Sequence, residues 1–306
     1  MKIAVVGSYG AGLTMRVPHA PDGGETVGGG EFDSGPGGKG SNQAIGAARL
    51  GARVSLLTAI GDDAFGRSAV DLWASEGVGA EHVVIGSRPT MVGFILVEPS
   101  GENRIAIAPG ALDELDAASV AGFRAQIEEA DVLVVSMEIP ESAVVEALRI
   151  GREVGTTTLL NPAPARALPD DIWTSIDVLT PNESEAPVLL GLGPDHGRDE
   201  QTLVAELQAR TGGIVILTRG GRGALVCDTT GAIVDVPPTP VDVVVDTTGA
   251  GDSFTAALAV AIAEGRPIVE AARFAALAGA HAVGIAGVVP ALPTRLQLEH
   301  PIGPVR

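Results

Sequence analysis

The chain repeats one local pattern: a short run of apolar, β-branched residues, a polar break, then a segment with helical spacing. The runs lie at Ile3 to Val6, Val54 to Thr58, Val132 to Ser136, Thr157 to Leu160, Val178 to Thr180 and Ile214 to Thr218. Runs this short and this uniformly apolar read as strands covered on both faces, the condition of a parallel sheet. Helical patterns between them include Asn42 to Leu50, Ala64 to Glu76, Ser142 to Val154 and Leu203 to Arg210. They supply the crossovers that parallel strands require. The pattern predicts an α/β fold, a doubly wound and mostly parallel sheet, formed as a single unit over residues 1–306.

Two stretches break the alternation. Gly12 to Ser34 and Pro89 to Ala108 carry hairpin-like strands with no crossover helix, among them Met91 to Val97 and Arg104 to Ile107. Neither buries a core alone, so the expectation is that residues 12–34 and 89–108 pair as a small, discontinuous β lid. Exposed lid edges make a homodimer through the lid a further expectation.

Composition limits the partners. A formal net charge of −18 and a pI near 4.6 oppose a polyanion, so nucleic acid is excluded as a partner. A small anion needs only local donors, such as a helix N-terminus, and stays admissible. The single cysteine, Cys227, allows no internal disulfide and no thiolate metal cluster. The opening Met1 to Gly7 is too short for a signal peptide, and the Ala/Gly-rich Ala275 to Ala286 is too short to span a bilayer. These features read as a soluble, cytoplasmic protein without membrane contact.

In an open parallel sheet, ligands gather beyond the carboxyl ends of the strands. The residues there are polar: Ser136-Met-Glu138, Asn161-Pro162, Asn182-Glu-Ser-Glu185 and Thr218 to Gly223. Each has a purely structural explanation. Asn182 with Glu185 makes an Asn-x-x-Glu helix cap, and Thr218 to Gly223 reads as a turn between strands. Their recurrence at successive strand ends favours one shared crevice.

The most informative segment is Val245 to Phe254, which contains Asp246-Thr-Thr-Gly249-Ala250-Gly251-Asp252 and runs into the apolar helix Thr255 to Ala263. Glycines at a helix start let backbone N–H groups approach an anion, and the helix dipole adds positive potential. Asp252 stands beside that hole, placed to take a proton from an acceptor hydroxyl during phosphoryl transfer. The structural alternative is that Asp252 merely caps the helix.

Gly35 to Gly40 matches G-x-G-x-x-G but does not follow the first strand, and Lys39 is followed by Gly40, so neither a dinucleotide fingerprint nor a Walker A loop is present. The loop instead leads into a helix carrying Lys39 and Asn42. Of 20 basic residues only Lys2 and Lys39 are lysine. A compact ammonium differs physically from a guanidinium where space is tight. The histidines, at 19, 82, 196, 281 and 300, form no metal pair, and no G-x-S-x-G elbow occurs. A nucleotide-borne divalent ion held mostly by water is expected, with Glu185 organising that water.

Four segments together, Gly37 to Ala44, Asn161 to Ala165, Thr180 to Glu185 and Asp246 to Asp252, resemble the ribokinase-like (PfkB) carbohydrate kinases, over nearly the whole chain. The resemblance implies a ribokinase-like fold with a β lid. It also implies transfer of the ATP γ-phosphoryl group, with Mg2+, to a sugar hydroxyl. By family pattern Asp252 is the base, and Gly249, Ala250 and Gly251 form the anion hole. Gly38, Lys39, Asn42 and Glu138 face the sugar. Asn182, Thr218, Gly220, Gly221, Gly223 and Ala276 attend the nucleotide, and Glu185 attends the magnesium water. The resemblance further places a monovalent cation, K+, among Asp246, Thr248, Ala282, Ile285 and Gly287, with Ala291 where serine is usual.

One departure bears on the acceptor. Where ribokinases carry a G-S-x-N-x-D pattern that grips sugar hydroxyls, this chain reads Gly7-Ser-Tyr-Gly10-Ala-Gly12. Loss of both polar side chains disfavours plain ribose and leaves room for a bulkier acceptor, with Tyr9 and Arg16 as candidate replacement contacts. A nucleoside acceptor is the alternative within the family, opposed by an aromatic content of 3%. A phosphosugar acceptor stays open too. A non-catalytic sugar- or nucleotide-binding regulator is the alternative outside catalysis, and it has little need of Asp252 beside an intact anion hole.

Overall fold

The computed structural model describes residues 1–300. In chain order the strands are β1 (Lys2–Val6), β2 (Gly10–Arg16), β3 (Glu31–Gly37), β4 (Arg53–Leu57), β5 (Ala59–Gly61), β6 (Val78–Gly79), β7 (Val84–Gly86), β8 (Val92–Val97), β9 (Asn103–Ala108), β10 (Val132–Ser136), β11 (Thr157–Asn161), β12 (Val178–Leu179), β13 (Ile214–Thr218), β14 (Ala224–Cys227) and β15 (Ile233–Val236). The helices are α1 (Lys39–Arg49), α2 (Ala64–Ser75), α3 (Ala117–Gly122), α4 (Arg124–Glu129), α5 (Glu141–Val154), α6 (Glu185–Leu189), α7 (Glu200–Thr211), α8 (Ala250–Ala263), α9 (Ile268–Ala282) and α10 (Val288–Ala291), with a last short helix over Arg295–Glu299. Each apolar run singled out in the sequence is a strand of the large sheet.

That sheet has the order β15-β14-β13-β12-β11-β10-β1-β4-β6. It is parallel from β6 to β13 and closes with two antiparallel strands, β14 and β15. Alternate side chains feed opposite cores. Ile3, Val5, Val54, Leu56 and Val134 pack with α1, α2, α8 and α9, while Ala4, Val6, Leu57, Leu133 and Val135 pack with α3 to α7. Burial on both faces explains the unbroken apolar character of the runs. Cys227 ends β14 as a buried free thiol.

Helix α8 is buried continuously from Asp252 to Ala261. It lies between the sheet, α1 and α9. Gly46 permits the α1–α8 approach, since a methyl built on it would stand 2.8 Å from Ala256 Cβ. This contact, made of alanine and glycine, brings the polar start of α1 against the polar start of α8.

The second sheet has the order β3-β2-β8-β9. Hairpins β2–β3 and β8–β9 are joined by parallel pairing of β2 with β8. It begins at Gly10 and returns at Gly37, slightly wider than the expected residues 12–34. A third, two-stranded sheet pairs β5 with β7. Among the described residues no helix is long and apolar enough to cross a membrane.

Candidate active site

The polar strand ends stand side by side. Ser8 follows β1, Ser136 ends β10 with Glu138 just beyond it, Asn161 ends β11, and Asn182 follows β12, joined by a parallel bridge to Thr218 at the end of β13. Residues scattered over more than two hundred positions thus share one edge of one sheet. A cavity of about 610 Å³ opens at the opposite, amino end of the strands, around Thr157, Val178 and Ile214. It holds none of these groups, and ligands of open parallel sheets collect at the carboxyl end.

Gly249 precedes α8 with φ +82, and a methyl on it would fall 2.7 Å from Val288 Cγ1. Only glycine fits that turn. Around Gly251 the space is open, with no atom within 4 Å of a built Cβ. The N-terminus of a long buried helix therefore faces vacant room.

Asp252 makes no capping bond to α8. Its carboxylate instead accepts Asn42 Nδ2 on Oδ2 at 2.8 Å and Gln43 Nε2 on Oδ1 at 3.0 Å. The helix-cap explanation is thereby set aside. Burial pushes the carboxyl above its ordinary range, against the Lys39 ammonium and the two amide donors, which pull it down. Gln43, not singled out from the sequence, also donates to Asn161 Oδ1 at 3.1 Å, and Asn161 Nδ2 reaches the Thr180 carbonyl at 3.3 Å. Its signal was present: Ser41, Asn42 and Gln43 are consecutive polar residues, all buried, at the start of an apolar helix.

Gly38 makes the turn into α1 with φ +91, and a methyl there would stand 2.5 Å from Tyr9 Cα. That close passage presses the loop onto the end of β1. The Lys39 N–H donates to Glu138 Oε2 at 3.0 Å, and Ser8 Oγ donates to the same oxygen. Burial depresses the Lys39 ammonium, but Asp252, Glu138 and Glu185 together outweigh it and raise its pKa. The half-buried ammonium thus lies within the electrostatic reach of three carboxylates that come from three elements.

Asn182 and Glu185 do form the reciprocal cap of α6. Asn182 N–H donates to Glu185 Oε2 at 2.8 Å, and Asn182 Oδ1 accepts Glu185 N–H at 2.9 Å. The cap holds Glu185 in one place, within the electrostatic reach of Lys39. Burial raises the Glu185 carboxyl, with the Asn182 hydrogen bond and Lys39 opposing. Thr218 to Gly223 is indeed the turn between β13 and β14: Gly220 and Gly221 are exposed, and Gly223 packs against the Val236 carbonyl. Ala276 lies half-buried on α9.

Asp246, Thr248, Ala282, Ile285 and Gly287 gather in one knot beside α8. Asp246 accepts Thr248 N–H on Oδ1 at 2.9 Å and Gly287 N–H on Oδ2 at 3.1 Å, while Val245 and Asp246 N–H donate to Val283 O. Ile285 N–H donates to Ala282 O at 3.2 Å. Burial works to raise the Asp246 carboxyl, yet these donors, with a smaller contribution from Arg16, leave it below the usual range and ionised. Ala291 is fully buried at the end of α10.

Comparison with known proteins identifies the family. The family model described as pfkB family carbohydrate kinase matches residues 2–295. The chain belongs to that family. It is 36% identical over 306 residues to a ribokinase of Haemophilus influenzae, covering 97% of this chain and 98% of that protein. A deoxyribokinase of Salmonella typhi is 33% identical over 256 residues, 83% of each chain. Among solved structures, Arabidopsis thaliana ribokinase complexed with ribose and ATP superimposes with a TM-score of 0.91 at 28% identity, covering 97% of both chains.

Within this family of carbohydrate kinases, two candidate acceptor contacts part company. Tyr9 is 2% exposed, edge-on to Trp73 with ring centroids 5.1 Å apart, and its hydroxyl is pushed up to about 12 by burial and by Asp63. It is a core residue and does not replace a lost sugar contact. Arg16 ends β2, exposed and close enough to act on Asp246. At Gly10 the Met91 side chain fills the position that a larger residue would need, since a built Cβ would lie 2.3 Å from Met91 Cε.

Proposed function

We propose that the chain transfers the γ-phosphoryl group of ATP to a sugar hydroxyl, with Asp252 as general base. The observation that carries this reading is the tethered, buried Asp252 carboxylate beside an open helix N-terminus. In the step, the acceptor oxygen bonds to the γ-phosphorus as its O–H proton passes to Asp252, and the bond from phosphorus to the bridging oxygen of ADP breaks. The N–H groups of Gly249, Ala250 and Gly251 take the charge that develops on the phosphoryl oxygens. Asn42 Oδ1 is buried without a partner among the described residues, an acceptor that a substrate hydroxyl would satisfy.

Gly38, Lys39 and Glu138 would hold the remaining hydroxyls. Asn182, Thr218, Gly220, Gly221, Gly223 and Ala276 would line the nucleotide. Glu185, capped in place, suits a magnesium ion held through water, which neutralises phosphate charge when bound. The ionised Asp246 and the backbone around Ala282, Ile285 and Gly287 suit a potassium ion that steadies the anion-hole segment. A pentose or related carbohydrate is the acceptor class that the named relatives support, and the buried reduced Cys227 accords with the cytoplasm. The small sheet acts as a lid. Its outer face, with Phe32 61% and Phe94 39% exposed, would pair with the lid of a second copy.

The test is ADP release from MgATP across pentoses, hexoses, deoxysugars, polyols, nucleosides and phosphosugars, with and without KCl. Acceptor-dependent ADP release is expected. ATP binding with no acceptor turned over would overturn the reading.

A further inference from the structure

Glu138 stands on a short bend between β10 and α5, outside any strand or helix. Its neighbours Met137 and Ile139 are buried in the core that α5 also enters. The bend leaves two carbonyls, those of Met137 and Ile139, with no backbone N–H donated to them among the described residues. One side chain satisfies both. Arg166 donates from Nη1 to the Met137 carbonyl and from Nη2 to the Ile139 carbonyl, the second at 2.8 Å. The guanidinium thus straddles the bend and grips a carbonyl on either side of Glu138.

Arg166 is half-buried, and burial pushes the guanidinium below its ordinary range with Glu141 opposing. Its hydrogen bonds among the described residues all go to these two carbonyls. Sheltering a cation from water without a carboxylate bonded to it costs free energy. A planar fork holds two acceptors at once in a fixed geometry, which the single ammonium of lysine does not.

The same bend is tied to the Asp252 carboxylate. Met137 N–H donates to Asn161 O at 3.3 Å, and Ala163 N–H donates to that oxygen at 2.9 Å. The Asn161 side chain accepts from Gln43 Nε2, which also donates to Asp252. Arg166 lies five residues after Asn161. Residues 161–166 therefore hold the Glu138 bend at three points and reach Asp252 through one amide.

Glu138 has one carboxylate oxygen engaged and one free. Oε2 accepts Ser8 Oγ and the Lys39 N–H, while Oε1 has no donor among the described residues. A hydroxyl that donates to Oε1 is placed by whatever places the bend. We propose that Arg166 is a positioning residue for the acceptor: by holding the Met137 and Ile139 carbonyls, it sets the free oxygen of Glu138 where one acceptor hydroxyl docks while another faces Asp252. The inference rests on the kinase reading above, with Glu138 holding acceptor hydroxyls. Without the clamp Met137 and Ile139 still anchor the bend in the core, so the fold survives while the carboxylate loses its fixed place. Small misplacements of a positioning group are costly.

The experiment measures ADP release from MgATP with ribose and with deoxyribose. It compares the wild type, Arg166→Leu, Arg166→Lys, Glu138→Ala and both double variants, with thermal melting as a fold control. In Arg166→Leu the KM for pentose is expected to rise about tenfold or more, while kcat and the KM for ATP stay within about threefold. Arg166→Lys, which still reaches one carbonyl, is expected to fall between. On the Glu138→Ala background either change should add less than about twofold, because no carboxylate is left to place. An unchanged KM for pentose overturns the proposal. So do KM values for pentose and ATP that rise together, or losses that add in full on the Glu138→Ala background, since both are the marks of a purely structural residue. Should Arg166→Leu not fold, Arg166→Lys and its double variant decide on the same criteria. With wild-type release present, each of these failures leaves the kinase reading standing. Release with neither pentose in the wild type removes the pentose reading, and the clamp's role with it.

Discussion

Gln43 Nε2 donates to Asp252 Oδ1 at 3.0 Å and, with its other hydrogen, to Asn161 Oδ1 at 3.1 Å. One amide on α1 therefore fixes the Asp252 carboxylate on α8 relative to the end of β11. A hydrogen bond to a carboxylate contributes about 1.5–3 kcal/mol and favours its ionised form.

Removing that donor is expected to raise the Asp252 pKa further. The base must be ionised to act, so the acid limb of the kcat/KM profile moves to higher pH in Gln43→Leu. Gln43→Glu, which sets a second carboxylate against the first, moves it further still. A loss of about tenfold at neutral pH accompanies Gln43→Leu. A profile that does not move would make Gln43 a packing residue only.

Asp252→Asn is expected to lower kcat by about 10²–10⁴-fold, the usual contribution of a general base, with ATP affinity little changed. The same variant should melt higher than the wild type at neutral pH. Asp252 has a folded pKa raised by burial, so its contribution to stability is full below the unfolded value, about 3.9, and is lost as pH rises through the folded one. The gain in melting temperature should therefore shrink as pH falls toward that unfolded value.

Gly249→Ala and Gly251→Ala separate folding from chemistry. At Gly249 positive φ and the Val288 contact oppose a side chain, and a loss of about 1–3 kcal/mol in unfolding free energy is expected. At Gly251 a methyl meets nothing, so the melting temperature should hold while kcat falls, because the methyl enters the space reserved for the phosphoryl group. Denaturant unfolding and turnover, measured on the same preparations, check both.

Asp246→Asn is expected to flatten the dependence of kcat on KCl. With its carboxylate neutralised, the knot of Thr248, Val283 and Gly287 keeps most of its backbone partners but loses its only ionised group. A KCl titration at constant ionic strength, with choline chloride as the balancing salt, is the measurement. An unchanged potassium response would remove the cation from this site.

Much of this was legible in one dimension. The apolar runs determined the parallel strands, because burial on both faces leaves no polar alternation to read. Glycines ahead of an apolar helix marked the start of α8, and the motif around Asp252 marked it as the carboxylate proposed here as the base. Tyr9 shows the limit: its position after β1 suggested a sugar contact, but only packing against Trp73 puts it in the core. Gln43 was hidden among helix residues until α1 met α8 through Gly46 and Ala256.

By itself the sequence determined the α/β class, the order of strands and helices, and the residues able to carry phosphoryl chemistry, since these follow from local periodicity and from backbone demands at single positions. Tertiary structure alone decided which polar groups meet. The amides of Asn42 and Gln43 close on Asp252, Ser8 and the Lys39 N–H meet on Glu138, and Gly12, Gly35 and Gly93 fall into one row. Each of these depends on register or helix contact between segments distant in the chain, and side-chain spacing along the chain does not encode it.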